Sequence, residues 1–194
     1  MTDGIYEYGS VGTDAVTVNE NELRARLGCP PEDIALIPKC LNELKKVASF
    51  KYTCRFSDVN IKDGVITFDF GSVISGDLSK NLLGCSRVCT LAITLGSQAD
   101  RLIMKLSKTS PAEAFITDAA ASAMAESLCD KVEELILGDI PHRPRFSPGY
   151  GDLPLDIQAP LLIFLNAEKG AGITLSKSLL MSPSKSITVI IGIT

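Results

Sequence analysis

Apolar residues recur at helical spacing in the first quarter of the chain. Residues 19–27 and 31–48 both show this spacing, which predicts two amphipathic helices. The second range places its apolar residues on a shared face: Ile34, Leu41, Leu44 and Val47. Pro38 lies inside that range and predicts a kink, because proline lacks the amide hydrogen that a helix interior uses. We interpret this part as helical packing material.

The pattern changes to alternation between residues 52 and 70, on either side of Lys62-Asp63-Gly64. Alternating apolar residues around a short glycine-containing turn predict an antiparallel hairpin. A short apolar run follows at residues 88–95, and Gly96-Ser97 then precedes a helical pattern. This order predicts a buried strand that turns into a helix at Gly96.

The most clearly marked helix begins near Ser110-Pro111-Ala112-Glu113, which has the form of a capping box with proline at the first helical position. The alanine-rich segment that follows can continue to about Leu137, before Gly138. Residues 141–151 are rich in proline and glycine, which oppose helix and regular strand. We therefore expect an ordered loop or a linker after this helix.

Asp152 and Pro154 can open a helix that runs to Leu165. Two apolar segments, residues 173–181 and 187–193, then predict strands separated by Ser182-Pro183-Ser184. Helices and strands alternate without a regular strand-helix-strand period, so we predict a single α+β domain with a largely antiparallel sheet flanked by helices. We expect residues 1–80 to be a helical and hairpin part packed on the same domain, and residues 81–194 to carry the ligand-binding part.

Composition narrows the class of function. The 194 residues include 19 Lys plus Arg against 23 Asp plus Glu, and the basic residues are scattered, so we do not expect nucleic acid as a partner. The first ten residues lack a basic region, and the longest apolar stretches are too short to span a bilayer. We expect a soluble cytoplasmic protein that has no membrane partner and whose six cysteines are reduced.

The loop at residues 141–151 carries the candidate chemistry. Arginine offers a planar fork suited to a carboxylate, and a tyrosine ring has a negative face that can lie against a cation. Arg143, Arg145 and Tyr150 could therefore bind a zwitterion with a sulfonium centre. The alternative is that the arginines lie in solvent or pair with nearby acids while Tyr150 packs against the sheet.

Three segments, in order along the chain, resemble the activation domain of cobalamin-dependent methionine synthase. Arg145-Phe-Ser-Pro-Gly149-Tyr150 is similar to that family's S-adenosylmethionine motif of arginine, three residues, glycine and tyrosine. Residues 171–193, with Met181-Ser-Pro183, resemble its closing segment, and residues 118–132 resemble the helix beside its ligand loop. The resemblance covers the chain from about Cys85 onward.

The resemblance implies roles for individual residues. Arg145 would hold the carboxylate of S-adenosylmethionine, Tyr150 would lie near the sulfonium, and Gly149 would let the backbone approach closely. Asp118 matches a helix acid near the family's ligand site, but the family's glutamate four residues later is Ser122 here. Glu126, one turn further, could take that role or could be an ordinary solvated glutamate.

The resemblance also implies reductive reactivation in methionine biosynthesis. An electron from a flavodoxin-like donor and a methyl group from S-adenosylmethionine would convert cob(II)alamin to methylcobalamin. The only histidine is His142 and no cobalamin-carrying motif is present, so a corrinoid-carrying methionine synthase protein would supply the cobalamin. We expect no catalytic residue of its own and no metal site, since Cys85 and Cys89 lack a second ligand pair.

Two other functions remain open from the sequence. The chain could be an S-adenosylmethionine-binding or docking module for another corrinoid methyltransferase, without catalysis of its own. It could also be a remnant that keeps the fold and binds nothing. If the chain instead supports reductive reactivation, it is a component of a methyltransferase, the cobalamin-dependent methionine synthase, rather than an enzyme alone.

Overall fold

A computed structural model describes residues 6–28 and 35–194 of the chain. The strands are β1 (Tyr6–Val11), β2 (Phe50–Lys62), β3 (Val65–Phe68), β4 (Gly71–Ile74), β5 (Arg87–Thr94), β6 (Thr174–Leu175), β7 (Met181–Ser182) and β8 (Ser186–Ile193). The main sheet is antiparallel throughout, in the order β4-β3-β2-β5-β8, and β1 pairs with the first half of β2. Two further strands, β6 and β7, form a small separate sheet.

Helices cover both faces of this sheet. They are α1 (Glu20–Leu27), α2 (Ile37–Val47), α3 (Gly76–Asn81), α4 (Ser97–Thr109), α5 (Pro111–Leu137), α6 (Gln158–Phe164) and α7 (Ala167–Ala171). α1, α2, α4 and α5 enclose one apolar core, and α3, α6 and α7 enclose a second. The α+β prediction with a largely antiparallel sheet is confirmed. Within the described ranges, none of the helices has the length and apolar composition needed to cross a membrane.

The central strand β5 divides its side chains between the two cores. Leu91 and Ile93 point into the first core, whereas Val88 and Ala92 point into the second. Successive side chains on a strand face opposite sides, so a strand covered on both faces is apolar at nearly every position. This explains the unbroken apolar run in the sequence, and the predicted strand and its turn into α4 at Gly96 are confirmed.

Helix α5 is the long helix of the first core, and its bounds confirm the predicted ones. Buried alanines lie around much of its circumference and let the sheet and the neighbouring helices pack closely against it: Ala114, Ala119, Ala120, Ala121, Ala123 and Ala125. The predicted capping box is wrong, because Ser110 makes no side-chain hydrogen bond at the helix start. Glu113 instead binds Lys39 of α2, with Nζ and Oε1 2.7 Å apart.

Three other expectations differ in detail from the structure. Pro38 does not kink a helix, since α2 begins at Ile37 and places the proline in its first turn, where no amide donor is needed. Residues 31–34 of the predicted helix lie outside the described residues. Residues 173–181 form two short paired strands and their turn rather than one strand. The hairpin of β2 and β3 is confirmed, with Lys62 opposite Val65.

Both halves of the chain contribute to the main sheet. β2 and β5 pair over eight residues, from Lys51 opposite Thr94 to Asp58 opposite Arg87. The division of the chain near residue 80 stays a prediction. The described cysteines are all free thiols, and Cys29 lies outside the described residues.

Candidate functional site

The loop that follows α5 is ordered along the outer edge of β8. Phe146 exchanges two main-chain hydrogen bonds with Ile190, with N to O distances of 2.9 and 2.8 Å. Arg143 N also donates to Gly192 O at 2.8 Å. These bonds hold residues 143–146 in an extended conformation, so neighbouring side chains alternate between the two faces of the sheet.

Arg145 faces α5 and lies among three of its carboxylates. Its guanidinium donates to Glu126 (Nη2 to Oε2, 3.0 Å), to Glu133 (Nη1 to Oε2, 3.4 Å) and to Asp130. We call these four residues the Arg145 cluster. The alternative interpretation, that Arg145 pairs with nearby acids, therefore describes the contacts seen in the structure. The surplus of negative charge makes the cluster attractive to a cationic group.

Arg145 keeps its positive charge within this cluster. Partial burial works against the charge on Arg145, but the hydrogen bond to Asp130 and the negative charges of Asp130 and Glu126 outweigh it and raise its pKa. Burial raises the pKa of the Cys129 thiol to about 12, so this sulfur is uncharged at neutral pH. The carboxylates are therefore what favours the guanidinium charge, and Cys129 does not act as a thiolate nucleophile.

Asp118 and Ser122 lie about two turns and one turn before Glu126 on α5 and belong to a different group. Both contact Lys185, whose Nζ is 2.8 Å from Asp118 Oδ1 and 2.9 Å from Ser122 Oγ. The Lys185 side chain is only 14% exposed. Sequence reasoning missed this lysine, although a single basic residue directly before an apolar strand was a usable signal. Asp118 is thus already paired with a cation.

Gly149 and Tyr150 form a tight turn beyond the extended part of the loop. Tyr150 N donates to Ser147 O and Gly149 N to Leu153 O, both at 3.0 Å. Gly149 has a φ of +82°, a conformation that side-chain-bearing residues rarely adopt. The Tyr150 ring contacts Phe146 edge-on, with ring centroids 5.3 Å apart, and is 69% exposed. An exposed aromatic face is available here.

The predicted site residues therefore form three groups. Arg145 and Glu126 meet directly, and Asp118 and Ser122 meet through Lys185. Gly149 and Tyr150 lie on the Phe146 side of the loop, and Phe146 belongs to the second core whereas Arg145 faces α5. No hydrogen bond or ring contact among the described residues joins Tyr150 to Arg145.

Asp152 fixes the end of the loop to α3. Its carboxylate accepts hydrogen bonds from Ser75 Oγ, from Gly76 N at 2.7 Å and from Asp77 N at 3.1 Å. Ser75 Oγ in turn accepts from Leu78 N at 3.0 Å. The Ser75 hydroxyl first, and then the two amides, hold the pKa of Asp152 below its ordinary value despite an opposing contribution from burial. Sequence reasoning did not foresee this contact, which spans 77 residues.

We expect Asp152→Asn to remove a pH-dependent part of the stability. A carboxylate whose pKa is lowered in the folded state stabilises it above the unfolded pKa of about 4, and this contribution is lost as pH falls through the folded pKa. Denaturant unfolding of both proteins between about pH 3 and pH 7 would test this. The difference in stability between them should be largest at pH 7 and shrink in acid, and a constant difference would contradict it.

An open groove of about 610 Å³ lies beside α6, α7 and β6. Leu162, Ile163, Leu175 and Leu179 give it an apolar wall, and Asn166, Glu168 and Lys177 lie at polar positions along it. Ile163 is 80% exposed and Leu180, on the neighbouring turn, is 67% exposed. Several apolar side chains that line one open groove together, rather than a single exposed residue, are typical of surfaces that contact another molecule.

Comparison with known proteins establishes the fold of the chain. No protein-family model matches the chain, and no curated protein sequence matches it. A solved structure of the MetH reactivation domain bound to AdoHcy aligns with a TM-score of 0.70 over 97% of this chain and 78% of that chain, at 15% sequence identity. The chain therefore has the fold of the MetH reactivation domain, and the predicted resemblance is confirmed at that level.

Proposed function

We propose that this protein binds S-adenosylmethionine and supports the reductive methylation of cob(II)alamin to methylcobalamin on a corrinoid-carrying methionine synthase protein. The observation that carries the proposal is the likeness, over nearly the whole chain, to a reactivation domain that holds AdoHcy. The ordered loop with Arg145, Gly149 and Tyr150 adds independent support, because it combines groups that suit the amino-acid end of such a ligand.

The loop can bind the ligand from two sides. Arg145 is 27% exposed, so its guanidinium can reach a ligand carboxylate from α5's side of the loop. Tyr150 offers its exposed ring to the sulfonium on the Phe146 side. We assign the turn between the two sides to Gly149, because its φ of +82° disfavours a side chain and a Cβ there would lie 3.3 Å from Leu155 Cδ1.

The ligand ammonium group is assigned to Glu126. Asp118 and Ser122 are less suitable because the Lys185 ammonium already lies between them, at 2.8 and 2.9 Å. The charges of Asp118 and Lys185 cancel, so this pair leaves no net attraction for a second cation. Glu126 belongs to a cluster with three carboxylates and one guanidinium, which favours a cation. This assignment selects one of the two interpretations of Glu126 that the sequence left open.

Positioning and electrostatics are the contributions we assign to this chain in the reaction. S-adenosylmethionine supplies an electrophilic methyl group, a flavodoxin-like donor supplies one electron, and the partner's cobalamin accepts the methyl group while S-adenosylhomocysteine is released. Arg145 and Glu126 would orient the donor, and no proton transfer by the protein is required. We assign partner docking to the apolar groove beside α6 and expect the complex to act in the cytoplasm.

Reconstitution tests the proposed function. We expect the purified protein, mixed with a methionine synthase that lacks its own activation domain, to convert cob(II)alamin to methylcobalamin when S-adenosylmethionine and reduced flavodoxin are present. The absorbance spectrum of the corrinoid reports the product. An intact methionine synthase is the positive control, and omission of S-adenosylmethionine is the negative control. Absence of product beside a working positive control would contradict the proposal.

A second candidate is a binding module for another corrinoid methyltransferase, without catalysis of its own. The observation that favours it is Lys185, which neutralises Asp118 and contacts Ser122, so that two of the predicted ligand residues have other partners. This candidate predicts saturable S-adenosylmethionine binding together with failure of the methionine synthase reconstitution. The two measurements therefore separate the candidates.

A further inference from the structure

The three carboxylates of the Arg145 cluster are not equivalent in their exposure. The side chain of Asp130 is 60% exposed, whereas that of Glu133 is 18% exposed and that of Glu126 is 36% exposed. A carboxylate that leaves Arg145 must be stabilised by water instead, and this exchange is least costly where the group is already solvated. Asp130 is therefore the acid that Arg145 can release most easily.

The contacts within the cluster also indicate that Asp130 is the most easily released acid. Glu133 Oε1 is 3.1 Å from His142 Nε2, and Glu126 Oε1 is 3.9 Å from Arg26 Nη2, so both glutamates have a second basic partner. For Asp130, Arg145 is the only cation in contact among the residues that the structure describes. The two glutamates are held in place from both sides, and Asp130 is held by Arg145 alone.

We infer that Asp130 competes with the ligand carboxylate for the guanidinium of Arg145 and thereby sets the affinity and specificity of the site. This inference rests on the proposed function and concerns the regulation of the same site. The entering carboxylate takes the Nη1 position of Asp130, while Glu126 and Glu133 keep Arg145 oriented toward the loop. Ligands without a carboxylate do not enter this competition.

The test compares Asp130→Asn with the wild type by calorimetric titration of S-adenosylhomocysteine and of 5′-methylthioadenosine. The first ligand carries the amino-acid carboxylate and the second lacks it. We expect Asp130→Asn to bind S-adenosylhomocysteine about three- to fivefold more tightly, the upper part of the range that an exposed ion pair can contribute. Binding of 5′-methylthioadenosine should stay within about twofold of the wild type. Damage to the fold would weaken binding, so a gain in affinity identifies competition.

Asp139→Asn is the matched control, since it removes the same charge from an exposed residue just beyond α5. It should leave both affinities unchanged. Equal affinity of wild type and Asp130→Asn for S-adenosylhomocysteine would overturn the inference and leave the proposed function standing. An equal gain for both ligands, or for Asp139→Asn, would also overturn it, because the effect would then be one of net charge. Absence of binding by every protein would overturn the proposed function and the inference together.

Discussion

Arg145→Ala should bind S-adenosylmethionine at least about thirtyfold more weakly than the wild type, which corresponds to a loss of roughly 2 kcal/mol of binding free energy. The substitution removes the guanidinium to which the ligand carboxylate is assigned. It also leaves Glu126, Asp130 and Glu133 without their shared cation, so their mutual repulsion changes the site further. Calorimetric titration of wild type and variant measures the loss directly.

Arg143→Ala is the matched control for this experiment. It removes the same side chain from the same loop, but Arg143 Nη2 donates to Leu83 O at 2.9 Å and does not contact the carboxylates of α5. Its affinity for S-adenosylmethionine should remain within a few-fold of the wild type. Similar losses in both variants would mean that general positive charge on the loop matters. Unchanged binding in Arg145→Ala would remove Arg145 from the site.

Phe146→Ala should cost about 3–5 kcal/mol of unfolding free energy, the range for truncating a buried aromatic side chain. The Phe146 side chain is 7% exposed and lies in the second core with Leu153, Ile157 and Ile190. Its main chain pairs with Ile190, so the cavity would open where the loop joins the sheet. Denaturant unfolding would show a lower midpoint, and ligand affinity should fall with it because Tyr150 loses its contact.

Phe115→Ala controls for loss of a phenyl ring as such. Phe115 lies on α5 with 59% of its surface exposed, so its truncation should change the unfolding free energy by less than about 1 kcal/mol. If the two variants were destabilised equally, Phe146 would not anchor the loop. The comparison therefore tests whether the loop depends on the second core for its position.

Residue types and spacing within one segment predicted helices and strands well where the contacts that stabilise the element lie within that segment. Pro111 and Gly138 fixed the ends of α5, and alternation around Lys62-Asp63-Gly64 predicted the hairpin. The same reasoning failed where a residue far away in the sequence provides the hydrogen-bond partner. Glu113 was expected to bond within its own helix start, but Lys39, 74 residues away, offers a charged partner instead. Ser110 N already donates to Leu106 O at 2.7 Å, at the end of α4, so this amide is not available to Glu113 and the distant lysine becomes its partner.

In the candidate site, too, the residues within one segment were predicted and those that the fold brings in from other segments were not. The loop and its arginine and tyrosine were visible as residue types in one short segment. Lys185 and Asp130 were not, because each becomes part of the site only when β8 and the loop lie against α5. Pairings of this kind depend on which helix face meets which strand, and a sequence pattern gives the face but not its neighbour.

The carboxylate of Asp152 makes the start of α3 and the end of the ligand loop one thermodynamic unit. Gly76 and Asp77 donate their amides to a residue that lies within three positions of Gly149. Coupling between two sites is reciprocal, so if the loop binds the proposed ligand, the ligand would also stabilise α3, and a change that stabilises α3 would tighten ligand binding by the same factor. Under the proposed function, residues in the first half of the chain, which the resemblance does not cover, would therefore help to set the affinity of a site in the second half.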